Sequence, residues 1–150
     1  MNQDPPAFQL FTEIGIIDQL AGTGFARAMP RGITRAQFVV LNHLVLRGEG
    51  KQSPALLAAA IQVTRATMTS TLARMERAGL ISLRGDPHDG RGKLVSITSV
   101  GRAIRESCIT AVLPMLPLVA QALSETEVET ALLLLRRLRS VLDAARDPVS

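Results

Sequence analysis

Residues 53–98 decide the fold of this chain, and they read SPALLAAAIQVTRATMTSTLARMERAGLISLRGDPHDGRGKLVSIT. The segment opens with Ser53 and Pro54, which favour a helix start because Ser can accept from a free backbone N–H and Pro has no N–H to satisfy. A break at residues 62–63 is followed by Thr64, which is suited to cap a second helix. The segment therefore begins with two predicted short helices in tandem.

The second of these helices, residues 64–78, is predicted to have a buried side and a polar side. Met68, Leu72 and Met75 recur at helical spacing, which predicts an apolar stripe. The other faces carry side chains that can donate to phosphates and base edges, as in DNA binding: Arg65, Thr67, Thr69, Ser70, Arg74 and Arg77. A solvated helix face has a similar composition, so this helix alone leaves both interpretations open.

A basic, Gly-rich hairpin is predicted after this helix. Gly79 can end the helix in a left-handed conformation, and residues 80–84 favour a short strand. Residues 85–92 concentrate turn-forming residues around Arg91, and residues 93–98 alternate like a returning strand. A hairpin tip that carries an Arg can reach a minor groove. The order of two helices and a hairpin predicts a winged helix-turn-helix that binds duplex DNA.

The charge of the chain is concentrated in the same region. The formal net charge is +4, but residues 31–93 hold ten bases and four acids, a net of +6, while the flanking segments sum to −2. A concentrated positive field attracts a polyanion and predicts binding that weakens strongly with salt.

Length and composition limit the class of protein. A chain of 150 residues can form one domain, or a small domain with an oligomerising extension. We expect a cytoplasmic protein without a membrane span, because neither an uninterrupted apolar run of about 18 residues nor a signal peptide occurs. A single cysteine excludes an internal disulfide framework. Trp and Tyr are absent, which favours an aliphatic core and a helical protein.

Amphipathic helices are predicted on both sides of the central segment. Capping-box patterns begin at Thr34 and Ser124, and prolines at 114 and 117 predict a bend before the last helix. In the first helix glycines weaken the helical pattern. The apolar positions with helical spacing in the two terminal helices are Leu10, Ile14 and Ile17, and Val128, Leu132, Leu135, Leu138 and Leu142.

These terminal helices need a partner for their apolar faces. They could fold back on the same chain. We expect instead that they pack against a second copy, because a two-fold dimer sets two DNA-reading helices about one DNA turn apart. The predicted fold class is mainly α with a small two- to three-stranded β wing. Residues 31–99 would form the DNA-binding region, and residues 5–30 and 100–146 the helical dimerisation region, within a single intertwined domain.

A family resemblance accompanies these motifs. The chain resembles the MarR family of bacterial transcriptional regulators over about residues 33–101, with segments that agree in order and spacing: ITRAQFVVL at 33–41, LLAAAI at 56–61, VTRATMT at 63–69, LARMERAGLI at 72–81 and DGRGKLVSITSVG at 89–101. The resemblance implies a homodimeric winged-helix protein that binds a pseudo-palindromic operator. It further implies a repressor that a small molecule or oxidation releases.

The resemblance also implies a role for individual residues in DNA binding. Arg65, Thr67 and Ser70 would read bases. Arg74 and Lys93 would hold phosphates, while Ser53 would present a helix N-terminus to the DNA backbone. Arg91 matches the arginine of the family's wing. Asp89 matches the acid of the same pattern, and its carboxylate would orient an Arg and fix the hairpin. Gly90 and Gly92 replace residues that are often basic in the family, which makes the tip more flexible and less cationic. Thr64, Thr69 and Arg84 complete the predicted DNA-binding set.

Other sites are weakly indicated. Cys108 lies in a helical apolar pattern, which favours a buried thiol over a redox switch. His43 and His88 stand without further ligands at metal-binding spacing, so we predict no metal, and His88 should lie in a solvated turn. No catalytic signature or phosphate loop occurs, which disfavours an enzyme and predicts no cofactor.

Two questions stay open at the level of sequence. A small-molecule effector pocket is expected where the dimer helices meet the DNA-binding core, with Phe11, Phe38, Leu41 and Arg105 as candidate liners, although ordinary core packing explains the three apolar residues and solvation explains Arg105. The alternative to a DNA-binding regulator is a protein-interaction module that retains the winged-helix fold.

Overall fold

The computed structural model describes residues 3–48, 50 and 52–146. Seven α-helices and a two-stranded antiparallel sheet follow one another in the predicted order, so the predicted fold class is confirmed. The elements are α1 Pro6–Ala28, α2 Arg35–Arg47, α3 Pro54–Ile61, α4 Arg65–Arg77, β1 Ile81–Asp86, β2 Asp89–Ile97, α5 Ser99–Val112, a 3-10 turn Leu113–Met115, α6 Pro117–Ala122 and α7 Glu125–Ala145.

The helix starts confirm the predicted caps. The hydroxyl oxygens of Ser53 and Thr64 each accept the backbone N–H three residues further on, at 3.1 Å, so that α3 and α4 each begin with one orphan donor satisfied. Thr34 and Ser124 form complete capping boxes at α2 and α7. Gly79 adopts a φ of +73°, which lets the chain turn sharply from α4 into the wing.

One core holds α2, α3, α4 and the sheet together. It is built almost entirely from aliphatic side chains and methionine, and no charged or polar residue among those described is buried. The predicted stripe of α4 lies in this core, together with the apolar residues of its neighbours: Val40, Leu41, Leu44, Leu57, Ala58, Met68, Leu72, Met75, Leu80, Ile81, Val95 and Ile97. We call residues 31–98, which contain this core, the head.

The hairpin is longer and its turn tighter than the sequence predicted. Residues 85–92 were expected as a turn, but β1 continues to Asp86 and β2 begins at Asp89, so that only Pro87 and His88 form the turn. The Asp86 carboxylate accepts the His88 backbone N–H at 2.8 Å, and an irregularity in register between Gly85 and Asp86 accommodates the tight connection. The third strand is reduced to a single bridge between Gln52 and Val95.

The glycines of α1 have a packing role that the sequence did not indicate. They were expected to weaken the helix, yet α1 is continuous from Pro6 to Ala28. A Cβ at Gly24 would overlap the side chain of Met115, so that the glycine lets the turn after α5 approach α1 closely. Arg35 pairs with Asp18 and lies against Gly22, which joins α1 to α2.

The C-terminal part begins at a junction with the wing. The Thr98 hydroxyl donates to the Gly79 carbonyl at 2.6 Å and accepts the Gly101 N–H at 3.0 Å, which links the end of α4 to the start of α5. A Cβ at Gly101 would overlap the Leu80 carbonyl oxygen. The predicted break near Pro114 is confirmed, since α5 ends at Val112 and a 3-10 turn follows.

The last helix is largely exposed in the single chain. No residue of α7 is buried along Glu125–Ala145. Its end is tied to the head, because the Arg146 guanidinium donates to the Ala59 carbonyl at 2.7 Å and pairs with Asp143 at 3.3 Å.

Candidate nucleic-acid interface

Helix α4 presents the predicted polar face to solvent. Its apolar stripe is held in the core, which fixes the rotation of the helix about its axis. At 3.6 residues per turn Ser70 lies on the side opposite the stripe, with Thr67 and Arg74 on one flank and Arg65 and Thr69 on the other. All of these residues are exposed, as is the N-cap Thr64. We call this surface the recognition face.

Hydrogen bonds within the recognition face orient its hydroxyl groups. The Thr64 hydroxyl donates to the Thr67 hydroxyl at 2.9 Å, and the Arg74 guanidinium donates to the Ser70 hydroxyl at 3.0 Å. Because Thr67 and Ser70 act as acceptors in these contacts, each of their hydroxyl groups keeps its own O–H as a donor for a further partner. The face therefore offers donors to phosphate oxygens and to base acceptors.

The one acid of α4, Glu76, contacts the wing. Glu76 accepts the Leu83 backbone N–H with its carboxylate at 3.3 Å, which attaches strand β1 to the helix. The only carboxylate within Arg65–Arg77 is thereby used to hold the wing. Sequence reasoning missed this contact, because it links residues on different elements.

The wing carries exposed cations on both of its faces. Lys93 pairs with Gly85 and Arg84 pairs with Leu94, so these two side chains lie on opposite faces, while Arg91 lies in the irregular stretch of β2 between Asp89 and Lys93. Asp89 accepts the Arg91 backbone N–H at 3.1 Å, so it fixes the hairpin through the main chain. The Arg91 side chain is left exposed at the tip.

Ser53 lies at the start of α3 and is partly buried, with its hydroxyl engaged in the cap of that helix. The N-terminal end of a helix is suited to a phosphate oxygen.

The residues expected to line an effector pocket lie on α1, α2 and α5 of the single chain. Leu41 is 0% exposed and belongs to the core, so it is not available to a ligand. Arg105 is partly buried and donates to the Asn42 side-chain oxygen at 2.9 and 3.1 Å, which joins α5 to α2. Phe11 is exposed on α1, and Phe38 is partly buried on α2. None of the four lines the cleft of about 490 Å³ that the structure contains, which lies between α2, α3 and α7.

The predicted dimerisation residues lie on surfaces that the single chain leaves open. Leu10, Ile17, Leu132, Leu135 and Leu142 are between 43% and 60% exposed, and Ile14, Val128 and Leu138 are partly buried. Further exposed apolar residues, which the sequence reasoning did not single out, extend the surface: Phe8, Leu20, Leu113, Leu116, Leu118 and Val119. Apolar patches of this extent mark protein contacts in soluble proteins.

One helical segment, Ser99–Ala122, is long and apolar enough to cross a membrane by length and composition alone. The sequence predicts no span, since it contains no uninterrupted apolar run of about 18 residues. The first half of the segment lies on the head, where Gly101 and Cys108 are buried and Arg105 contacts Asn42.

The cysteine and the two histidines occupy different environments. Cys108 is 0% exposed, and burial raises the pKa of its thiol, which agrees with the prediction of a buried, unreactive cysteine. His88 lies exposed in the hairpin turn, as predicted. His43 lines the cleft, and burial lowers its pKa, against the opposing effect of a side-chain hydrogen bond with Gln52. Within the described part of the chain, no group of three or more His, Cys, Asp or Glu could hold a metal.

The fold and the recognition face together define a winged helix-turn-helix of the DNA-binding type. The MarR family profile matches residues 31–92, which extend from before α2 to the first part of β2. The chain belongs to the MarR family. Its curated relatives in this family are named as transcriptional regulators.

Three similar proteins illustrate the relationship. The transcriptional repressor NicR of Pseudomonas putida is 32% identical over 106 residues, which cover 71% of this chain and 66% of NicR. A mutant of MarR from Escherichia coli in complex with operator DNA is 27% identical with a TM-score of 0.72, and the match covers 92% of this chain and 99% of that one. BpsR of Bordetella bronchiseptica, whose DNA binding is regulated by 6-hydroxynicotinic acid, is 26% identical with a TM-score of 0.71, covering 87% and 98%. The chain spans less than two thirds of the length of the curated relatives it matches.

Proposed function

We propose that the protein is a dimeric, sequence-specific DNA-binding transcriptional regulator that represses from a pseudo-palindromic operator. The observation that carries this proposal is the recognition face, whose Arg, Thr and Ser side chains are exposed while the buried stripe of α4 fixes their direction. Arg65, Thr67 and Ser70 are the proposed base readers, with Thr69 beside them. The MarR–operator complex among similar structures supports duplex DNA as the partner.

Phosphate contacts are assigned to the edges of this surface. Arg74 and Lys93 would hold backbone phosphates, and Ser53 and Thr64 would present the starts of α3 and α4. The proposed role of Arg91 is to enter the neighbouring minor groove from the wing, with Arg84 on the opposite face of the hairpin. The positive field of residues 31–93 would bring the duplex to this surface.

The proposed dimer uses the exposed apolar residues of α1, α6 and α7. A single chain leaves Leu10, Ile17 and Leu135 in contact with water, which is unfavourable unless a second copy covers them. In a two-fold dimer the two recognition faces would lie about one DNA turn apart, and each would meet one half-site. Residues 5–30 and 100–146 would form this interface.

Repression that a small molecule releases is the proposed mode of regulation. NicR is named a repressor, and the DNA binding of BpsR is regulated by 6-hydroxynicotinic acid. By analogy, this chain would leave its operator when an effector changes the relative position of its two heads.

The test is selection from random duplex DNA with the full chain, at two salt concentrations. We expect enrichment of a motif with two-fold symmetry and an affinity in the nanomolar range that falls steeply as salt increases. Enrichment of no motif would contradict the proposal. If a stable complex with another protein were found together with that result, the interaction-module alternative would replace it.

A further inference from the structure

The wing is attached to the head at one level of the hairpin, on both of its edges. Leu83 of β1 and Val95 of β2 lie opposite each other in the register of the sheet. The Val95 N–H donates to the Gln52 carbonyl at 2.8 Å, on the side away from β1. Opposed residues of an antiparallel sheet alternate between pairs that exchange N–H···O bonds and pairs that do not. Leu83 and Val95 therefore form a pair of the second kind, and the Leu83 N–H points away from β2.

Glu76 accepts this outward N–H. The distance from the Leu83 nitrogen to the Glu76 carboxylate oxygen is 3.3 Å. The contacts on the two edges attach the wing to different elements, because Glu76 lies in the last turn of α4 and Gln52 lies before α3. Glu76 therefore joins the wing directly to the helix that carries the recognition face, and it does so through a side chain that substitution can change.

The hydrogen bonds nearer the tip of the hairpin have a different effect. The Asp86 and Asp89 carboxylates accept the backbone N–H groups of His88 and Arg91, which belong to the same hairpin. These bonds fix the shape of the tip but not its direction relative to α4. Arg91 is four residues from Val95 along β2, about 13 Å at the rise of a strand. A tilt of the hairpin at its attachment is therefore larger in its effect on Arg91 than on the attached residues.

The charge of Glu76 by itself opposes DNA binding. Glu76 is exposed and is the only acid in α4, whose other ionised side chains are Arg65, Arg74 and Arg77. Duplex DNA is a polyanion, so that an acid close to it weakens binding. What the carboxylate contributes is a strong acceptor for the N–H of the strand. The contact with β1, rather than the charge, is therefore the feature of Glu76 that favours DNA binding.

We propose that Glu76 is a positioning residue for DNA binding, whose carboxylate sets the angle between α4 and the wing and thereby the place where Arg91 meets the DNA beside each half-site. This inference rests on the proposed function. It adds that α4 and the wing read the DNA at a fixed spacing. Without the Glu76 contact, preference for the flanking sequence is lost, while preference within the half-site remains.

The contact is tested without DNA, by amide hydrogen exchange of the full chain. Glu76→Ala removes the acceptor, and exchange of the Leu83 amide should rise about tenfold or more. Val95 is the control within the same chain, since its N–H is bonded to Gln52 and should exchange at the parent rate. Glu76→Gln keeps an acceptor oxygen and should retain the protection of Leu83. Equal exchange of Leu83 in the parent chain and in Glu76→Ala would overturn the proposal.

The effect on DNA is measured by titration of two duplexes that share the selected half-sites and differ only in their flanks. One has A·T-rich flanks, whose narrow minor groove attracts Arg, and the other has G·C-rich flanks. We expect the parent chain to favour the A·T-rich flanks about fivefold or more, and Arg91→Ala to abolish this preference. Glu76→Ala should reduce it to about twofold or less, whereas Glu76→Gln should preserve it. The ratio between the duplexes removes the general gain in affinity that follows from loss of an acid.

A double variant distinguishes positioning from a loss of stability. If Glu76 acts through Arg91, then Arg91→Ala should cost less affinity in the Glu76→Ala background than in the parent chain, so that the two losses do not add. A general weakening of the fold would instead lower the affinity for both duplexes alike, and the melting temperatures of the variants would show it.

The outcomes separate the two proposals. If a dyad motif is selected and its flank preference survives Glu76→Ala, the positioning role is wrong and the proposed function stands. Losses that add in the double variant, or a parent chain that is indifferent to the flanks, would likewise contradict the positioning role alone. If no motif is enriched, the proposed function fails and the positioning role fails with it, even where the Leu83 amide responds as expected.

Discussion

The head and the terminal helices solve the problem of burying apolar side chains in opposite ways. In the head, α2, α3, α4 and the wing enclose side chains such as Leu41, Leu44 and Met75, which are 0% exposed. In α1, α6 and α7, which we call the terminal helices, Ile17, Leu20 and Leu135 remain open to solvent in the single chain.

This difference indicates that one chain is enough to build the core of the head but not to cover the apolar surface of the terminal helices. The head carries the recognition face on a core that one chain supplies. The terminal helices have the amphipathic composition of a core without the second half that would cover it. A second copy is the simplest cover, because two-fold symmetry provides the same surface on both sides. The head would then determine sequence preference, and the terminal helices would determine how many heads act together.

The largest effect is expected from a charge placed in the terminal helices. Leu135→Glu would bury two carboxylates in a two-fold interface, one from each copy, and should weaken self-association at least 100-fold, about 2.7 kcal/mol. Sedimentation at several concentrations measures this. Leu46→Glu makes the same change at an exposed residue of the head and should leave the dimer intact. Equal loss in both variants would contradict the division between the two regions.

The second-largest effect is a loss of stability expected at the start of α5, where this helix contacts the wing. Gly101→Ala places a methyl group against the Leu80 carbonyl, so α5 must shift, and thermal unfolding should show a loss of about 1 to 3 kcal/mol. Gly15→Ala is the matched control in α1, where no atom lies within 4 Å of the added carbon. It should stabilise the chain by up to about 1 kcal/mol, through helix propensity. If Gly15→Ala instead destabilised the chain, the second copy would have to pack closely against α1 at Gly15.

Within the head, base reading and phosphate binding can be separated. Arg65→Ala should cost about 1 to 3 kcal/mol on the selected motif and relax base preference at one position of each half-site. Lys93→Ala should weaken all sequences alike and reduce the slope of affinity against salt. Both are measured by titration of the motif and of a scrambled duplex. Equal losses on the two duplexes for Arg65→Ala would refute its assignment as a base reader.

The smallest effect is a pH dependence at His43. Burial holds the pKa of this group in the folded chain below its usual value of about 6.5. The unfolded chain therefore binds a proton more readily, and stability should fall as pH decreases through and below that value, while it is fully present above it. His43→Gln should flatten this fall in a series of thermal melts. A melting temperature of the parent chain that rises on acidification would contradict the sign.

The sequence predicted those features whose signals are local. Caps at Ser53, Thr64 and Ser124 depend on residues three positions apart, and the stripe of α4 depends on helical spacing. The predicted extent of the hairpin strands was wrong, because the turn-forming residues at 85–92 are also compatible with a two-residue turn between longer strands. The selected effector residues remain a prediction, and the burial of Leu41 depends on packing with other elements, which the sequence does not show.

Contacts between distant parts of the chain carried no signal in the sequence. The bond from Arg146 to Ala59 joins positions 87 residues apart, and the fit of Gly24 to Met115 depends on the bend after α5. These contacts determine where the cleft lies.

The central claim, that heads act in pairs held by the terminal helices, is tested most directly by stoichiometry on the selected DNA. The full motif and a single half-site are each titrated with the chain, and the complexes are weighed by sedimentation. The account predicts two chains on the full motif and much weaker binding to the half-site. One chain per full motif, with equal affinity for the half-site, would contradict it.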